Sequence, residues 1–381
     1  MINIPFDQFQ RYKTTSLIIN DLRKSDQSFS VLEIGANEHK NLEKFLCQDK
    51  IKYLDITLPD ELMEDSQYIL ADATAMPEIA TDSFDIVIAL DVYEHIPDNL
   101  REHFLNELNR VAKKAVILAG PFNEPGVNEA EIRVNEYFKA KFGINYIWLE
   151  EHINNGLPNL NKTKKCLNDN FSKNITHFKH GSLALWENLI RLHFEVADNL
   201  EMQQYRQLVV DTYYNKNIFF NDVDNNCYRD FIICSDEKIN NKYFAKGSKD
   251  KAQLAELNNL IDSAYKLSAE KRTVSIQNQA QQVQDKDTQI ENQAQQIQDK
   301  DTHIESQAQQ IQDKDTHIKN QAQQIQLLGL KNRMKRLLGW KAFKYVKNNP
   351  SSIKSGLKVL RSQGIKALIQ KIKQVNRLPS T

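Results

Sequence analysis

The residues with the clearest chemical potential stand where apolar runs end. An apolar run closing in Glu33-x-Gly35 reads as a buried strand turning sharply into a helix. Such a turn is a platform for a nucleotide cofactor. Backbone N–H groups at a helix start favour negative charge, a glycine lets a ligand approach the main chain, and a carboxylate holds cationic or hydroxyl groups. Asp55, Asp72 and Asp91 each close a further apolar run at the spacing of a repeating strand-helix-strand unit. Any one of these aspartates reads equally as a helix cap or turn former. Three of them, together with Glu33-x-Gly35, point to one site.

The elements that must carry these side chains follow from periodicity. Residues 7–24 place Phe9, Tyr12, Leu17, Ile18 and Leu22 on one helical face. Strands are expected at 31–34, 51–54, 68–70, 84–90 and 115–119, with Leu42 to Leu46 on a helix after the first and a helix over 99–111. Five apolar strands interleaved with helices argue an α/β, mostly parallel Rossmann-like sheet, whose ligands bind at the strands' carboxyl ends. Between 123 and 236 the pattern predicts helices at 132–142 and across most of 183–214. It also predicts two strands, 175–178 and 228–234, which add an antiparallel edge.

Bulk composition bounds the rest. A chain of 381 residues with 40% hydrophobic content and a mean hydropathy of −0.59 holds one sizeable domain and a long part that is not core. The zero formal charge conceals a split, because residues 331–381 carry fourteen Lys/Arg and no acid, leaving 36 basic against 50 acidic residues before them. Cys47, Cys166, Cys227 and Cys234 have no metal or redox spacing, and no signal peptide is evident, so a cytoplasmic setting is expected and no metal is implied.

Residues 31–120 resemble the class I S-adenosylmethionine-dependent methyltransferases of the type 11 kind. The motifs are Val-Leu-Glu-Ile-Gly, then Leu-Ala-Asp-Ala-Thr-Ala-Met-Pro, then Ser-Phe-Asp-Ile-Val-Ile-Ala-Leu-Asp-Val-Tyr-Glu-His-Ile-Pro. The resemblance implies S-adenosyl-L-methionine as cofactor. By it, Glu33, Gly35 and Ala36 border the methionine part, Asp55 accepts from the ribose hydroxyls, Asp72 and Ala73 meet the adenine, and Asp91 and His95 line the pocket near the sulfonium. A carboxylate is a two-oxygen acceptor suited to a diol, which agrees with the role of Asp55. Where related first motifs carry two further glycines, this chain has Asn37 and His39. The segment Glu151-His152-Ile-Asn-Asn-Gly-Leu-Pro resembles a substrate-side loop of polysaccharide-linked members. There His152 is either the general base for an acceptor hydroxyl or a structural histidine. His95 is likewise either catalytic or the start of a turn.

Three segments result: a methyltransferase domain over 1–248, a Gln-rich coiled coil over 249–329, and a basic amphipathic tail over 330–381. In the coil a 14-residue unit recurs at 278, 292, 306 and 320. It keeps Ile276, Val283, Ile290, Ile297, Ile304, Ile311, Ile318 and Ile325 at strict seven-residue spacing, beside a second seam that alternates Ala280, Asp287, Ala294 and onward. That pattern predicts a homo-oligomeric coil and a spacer of roughly 75 Å at about 1.5 Å per residue. A solvated single helix or a disordered tract is the alternative. The acid-free tail, with apolar faces edged by Lys and Arg, suits an anionic membrane surface, and a glycosyltransferase partner is the rival; no nucleic-acid motif accompanies it.

The order of segments resembles O-antigen and other surface-polysaccharide methyltransferases whose coil sets chain length. It implies methyl transfer to a hydroxyl of a glycan or lipid-linked saccharide, by an enzyme peripheral to the inner membrane. A non-catalytic methyltransferase-like scaffold organising glycosyltransferases is the alternative. A nicotinamide enzyme is disfavoured, since Gly-x-Gly-x-x-Gly is absent.

Overall fold

The computed structural model describes residues 2–35, 39–239 and 250–348, together with Gln370. It divides into two units, residues 1–277 and 278–381.

The first unit is built on seven strands: β1 (Ser30–Ile34), β2 (Lys50–Asp55), β3 (Tyr68–Leu70), β4 (Phe84–Leu90), β5 (Ala112–Gly120), β6 (Asn174–Ser182) and β7 (Cys227–Ser235). They form one sheet in the order β3-β2-β1-β4-β5-β7-β6. The first five are parallel, and β7 runs antiparallel to both β5 and β6. The sheet is apolar on both faces, as the continuous hydrophobic runs of β1, β4 and β5 require. Val31, Ile86, Ile88 and Ile117 point to one core with α1 (Phe6–Leu22), while Leu32, Val87, Ala89 and Val116 point to the other with α2 (Arg101–Val111). The remaining helices are α3 (Val127–Phe142), α4 (Ile147–Asn155), α5 (Leu160–Asn170), α6 (Leu183–Glu195) and α7 (Leu200–Tyr205), the last continued by π-helical turns at Arg206–Asp211 and Tyr214–Ile218.

The α/β Rossmann-like sheet with its antiparallel edge is as the sequence predicts. Two local readings need correction. The segment after β1 forms only a 3₁₀ turn, Asn41–Lys44, because Lys40 sits in the left-handed region at its start and two buried leucines, Leu42 and Leu46, suffice to pin the crossover. His152 lies on the helix α4 rather than in a Gly-Pro loop. Gly156, at φ +67°, ends that helix one turn later.

A long helix, α8 (Lys251–Asn348), begins inside the first unit, past the 248/249 junction read from composition. Leu257, Ile261 and Ala264 are buried, Ser268 Oγ donates to Glu195 at 3.1 Å, and Lys271 Nζ donates to Glu201 at 2.6 Å. In the second unit the helix continues through the 14-residue repeats. Its row from Ile290 to Ile325 is 59–69% exposed in the single chain. No helix among the described residues is long and apolar enough to cross a membrane. The tail reading beyond residue 348 lies outside the described residues.

Candidate active site

The carboxyl ends of β1 and β4 face each other at the point where the strand order reverses, the place where open α/β sheets bind ligands. Gly35 leaves β1 at φ +70°, donates its N–H to the Leu54 carbonyl at 2.8 Å, and presses on the loop after β4. A Cβ there would lie 2.4 Å from a Val92 methyl. Glycine is thus required both by the backbone and by the packing of the two strand ends. Ala36 and Asn37 lie outside the described residues.

Glu33 is fully enclosed. Its Oε1 accepts from the Tyr12 hydroxyl at 2.8 Å, and Oε2 has no partner among the described residues. Burial outweighs the Tyr12 hydrogen bond and raises its carboxyl to about 7. Asp55 ends β2 half-buried, accepting the Thr57 N–H at 3.1 Å, and burial raises its carboxyl. Asp72 is exposed and Oδ1 accepts from both the N–H and the hydroxyl of Thr74, beside buried Ala73. Both aspartates are therefore turn formers, yet a carboxylate with one or two donors keeps acceptor capacity for more. Two such acceptors have the chemistry to take the hydrogens of a ribose diol and an adenine amine.

Asp91, at φ +54°, is held by two arginines. Arg229 on β7 gives Nε at 2.8 Å and Nη2 at 2.5 Å, and Arg11 on α1 gives Nη1 at 2.9 Å. Burial opposes ionisation, but the two guanidiniums overcome it and bring the carboxyl down to about 2. Its charge is matched locally. Arg229 also donates to Gln10, tying β7 to α1.

The residues after β4 and those of α4 meet in one cluster. His95 Nε2 and His152 Nε2 are 3.3 Å apart. His95 Nδ1 contacts Glu151 Oε2 at 2.8 Å, and His152 Nδ1 contacts Glu131 Oε1 at 2.9 Å. Glu131, on α3, is also held by the Tyr228 hydroxyl at 2.8 Å, and Tyr228 stacks on Trp186. Glu94 is 1% exposed and its Oε2 has no partner among the described residues. Burial, with the nearby Asp91 charge, raises its carboxyl to about 8. Gly120 at the end of β5 makes room for it, since a Cβ there would come within 2.7 Å of Glu94 Oε2. Burial lowers the His95 imidazole, and the neighbouring His152 adds to this; at His152 burial is outweighed by the Glu131 hydrogen bond and charge, so that imidazole is raised. Trp148, half-exposed, sets its edge against the His95 ring.

The structure thus brings His95 and His152 together, with Glu33, Gly35 and Asp91 at the neighbouring strand ends, and leaves Asp55 and Asp72 at the ends of the outer strands. Sequence reasoning missed Glu94, Glu131, Arg11 and Arg229. Only Glu94, adjacent to His95 in the strand-four motif, carried a signal.

The sheet order and its antiparallel edge make this an α/β Rossmann-like methyltransferase fold, and S-adenosylmethionine is the cofactor of that fold. Residues 32–119 match the methyltransferase domain family. Among solved structures the chain is similar to a S-adenosylmethionine-dependent methyltransferase of Thermotoga maritima (12% identity, 60% of this chain and 92% of that one, TM-score 0.36). It is also similar to phosphoethanolamine N-methyltransferase 2 of Haemonchus contortus in complex with S-adenosyl-L-methionine (13%, 59% and 53%, 0.37), and to the YcgJ protein of Bacillus subtilis (15%, 59% and 100%, 0.33). The chain matches none of the curated proteins by sequence.

Proposed function

We propose that the protein transfers a methyl group to a hydroxyl of a saccharide, either a cell-surface polysaccharide or a lipid-linked glycan intermediate. The observation that carries this reading is the His152–Glu131 pair. A hydroxyl must lose its proton as it is methylated, and an imidazole whose Nδ1 is oriented by a buried carboxylate presents Nε2 as the base. The cofactor supplies an electrophilic methyl group when bound. Asp55 and Asp72 hold it, Gly35 lets it approach the main chain, and His95 helps position the acceptor. The exposed Trp148, flanked by Ile144 and Ile147, offers an aromatic and apolar surface beside the cluster, the kind of platform on which a sugar ring packs.

The exposed isoleucine row is read as the seam of a coiled coil with a second copy of this chain, which would act as a spacer. The acid-free stretch from residue 331 is read as the contact with an anionic leaflet on the cytoplasmic side, or with a glycosyltransferase there. The test of the central reading is incubation of the full chain with methyl-labelled S-adenosylmethionine and lipid-linked saccharides. Label recovered as a sugar methyl ether, and lost in His152→Ala, supports it. Label recovered only on amines or carbon, or equal turnover by the variant, refutes it.

A further inference from the structure

Both imidazoles of the cluster are turned the same way. A carboxylate is an acceptor, so each Nδ1 facing one, His95 to Glu151 and His152 to Glu131, carries the ring hydrogen. Each Nε2 then presents a lone pair, and the two lone pairs converge at 3.3 Å. Such an arrangement repels unless a shared proton or a metal cation lies between the nitrogens. A carboxylate oxygen of Glu94 belongs to the same group, since it and one ring nitrogen from each histidine all lie within 4.8 Å of one another. Glu94 is buried and its Oε2 has no partner among the described residues. A buried carboxylate oxygen without a donor is costly unless it takes a proton or a cation supplies the missing partner.

We propose that Glu94, His95 and His152 bind one divalent transition-metal cation. Two nitrogens at about 2.0–2.1 Å from a metal and 3.3 Å from each other subtend about 105°, close to a tetrahedral edge. The donor set of two imidazoles and one carboxylate suits Zn²⁺, Fe²⁺, Co²⁺ or Mn²⁺ and leaves coordination positions open. Glu131 and Glu151 fill the outer-shell role, fixing each ring's tautomer and orientation as metal-bound histidines require. Gly120, whose missing Cβ leaves space for the Glu94 carboxylate, completes the cradle. The proposal departs from the sequence expectation that no metal is implied. The reason is that its ligands come from two segments separated by 57 positions and not from one motif.

For the acceptor this inference rests on the saccharide reading above. With a cation seated, the open positions take a substrate hydroxyl oxygen, lower its pKa, and release its proton to solvent. His152 then acts as a ligand, and the acidifying role passes to the metal.

The test uses the full chain, stripped with a chelator and titrated with CoCl₂ without cofactor or acceptor, read by calorimetry and by the visible d–d bands of Co²⁺. One Co²⁺ per chain with micromolar affinity is expected. His95→Ala and His152→Ala should abolish the bands, and Glu131→Gln should weaken binding by about 10–100-fold through the outer shell. Glu94→Gln, which keeps the volume, guards against a folding failure, since it should weaken Co²⁺ binding without lowering the melting temperature of the stripped protein. Absent binding, or binding that survives His95→Ala together with His152→Ala, overturns the site. S-adenosylhomocysteine binding to the same stripped protein is measured in parallel. Co²⁺ binding without it leaves the metal site standing and removes the methyl-transfer reading; the converse removes only the metal.

Discussion

Asp91→Asn removes the charge that buried Arg229 and part-buried Arg11 share, and its cost can be worked from the structure. Arg229 is 3% exposed at its side chain, and Arg11 and Asp91 are each 16% exposed, so solvent screens the trio little. The two guanidiniums bring the Asp91 carboxyl from its ordinary 3.8 down to about 2 against the opposing effect of burial. At about 1.4 kcal/mol for each tenfold change in proton affinity, that is on the order of 2 kcal/mol of stability at pH 7. Leaving Arg229 buried and unpaired sets the upper end at about 3–5 kcal/mol. Because the folded value lies below the unfolded one, this stability is present above about pH 4 and is lost as pH falls through 2. The difference between wild type and Asp91→Asn should therefore shrink to about half at pH 3. Asparagine tolerates the positive φ of this position as aspartate does, so backbone strain does not enter. Urea unfolding at pH 7 and pH 3, followed by tryptophan fluorescence, gives both numbers. A loss under about 1 kcal/mol at pH 7, or one that does not shrink with acid, would refute the ion-pair reasoning.

Other outcomes follow from packing. Gly35→Ala should lower stability by about 1–3 kcal/mol through its positive φ and its contact with Val92, and weaken S-adenosylhomocysteine binding; adding Val92→Ala should recover part of the loss in a thermal melt. Leu257→Ala, in the part of α8 packed on the first unit, should cost about 2–5 kcal/mol, whereas Leu327→Ala, exposed, should leave the melt unchanged. Ile297→Asp with Ile311→Asp should turn an oligomer into a monomer in sedimentation equilibrium while sparing cofactor binding; an unchanged mass would sink the second-copy reading.

The sheet was legible because its central strands are apolar on both faces. Runs such as residues 84–90 admit no amphipathic reading, and the strand-end acids fall where those runs stop. The antiparallel edge was legible for the same reason. What the sequence hid was pairing at long range. Arg229 sits in a strand whose nine residues are all buried, so its charge has to be answered from outside that strand, and its partner Asp91 lies 138 positions earlier. The helix holding His152 was hidden by its shortness and polarity, although Gly156 marks its end. Glu131 stands one position before the helix read at 132–142 and carries no signal until the observed helix, Val127–Phe142, turns it toward His152. Composition likewise changes at residue 249, whereas packing continues to Ser268, because a helix can cover a core with one apolar stripe while its other faces remain polar.

The most direct measurement is calorimetric titration of the full chain with S-adenosylmethionine, alongside Asp55→Ala and Asp72→Ala. Micromolar binding of one equivalent, abolished or weakened at least about tenfold by each substitution, a loss of about 1.4 kcal/mol, is the expected result. Absence of binding by the folded wild-type chain, or binding indifferent to both aspartates, would contradict the assignment of the strand-end carboxylates as the cofactor site.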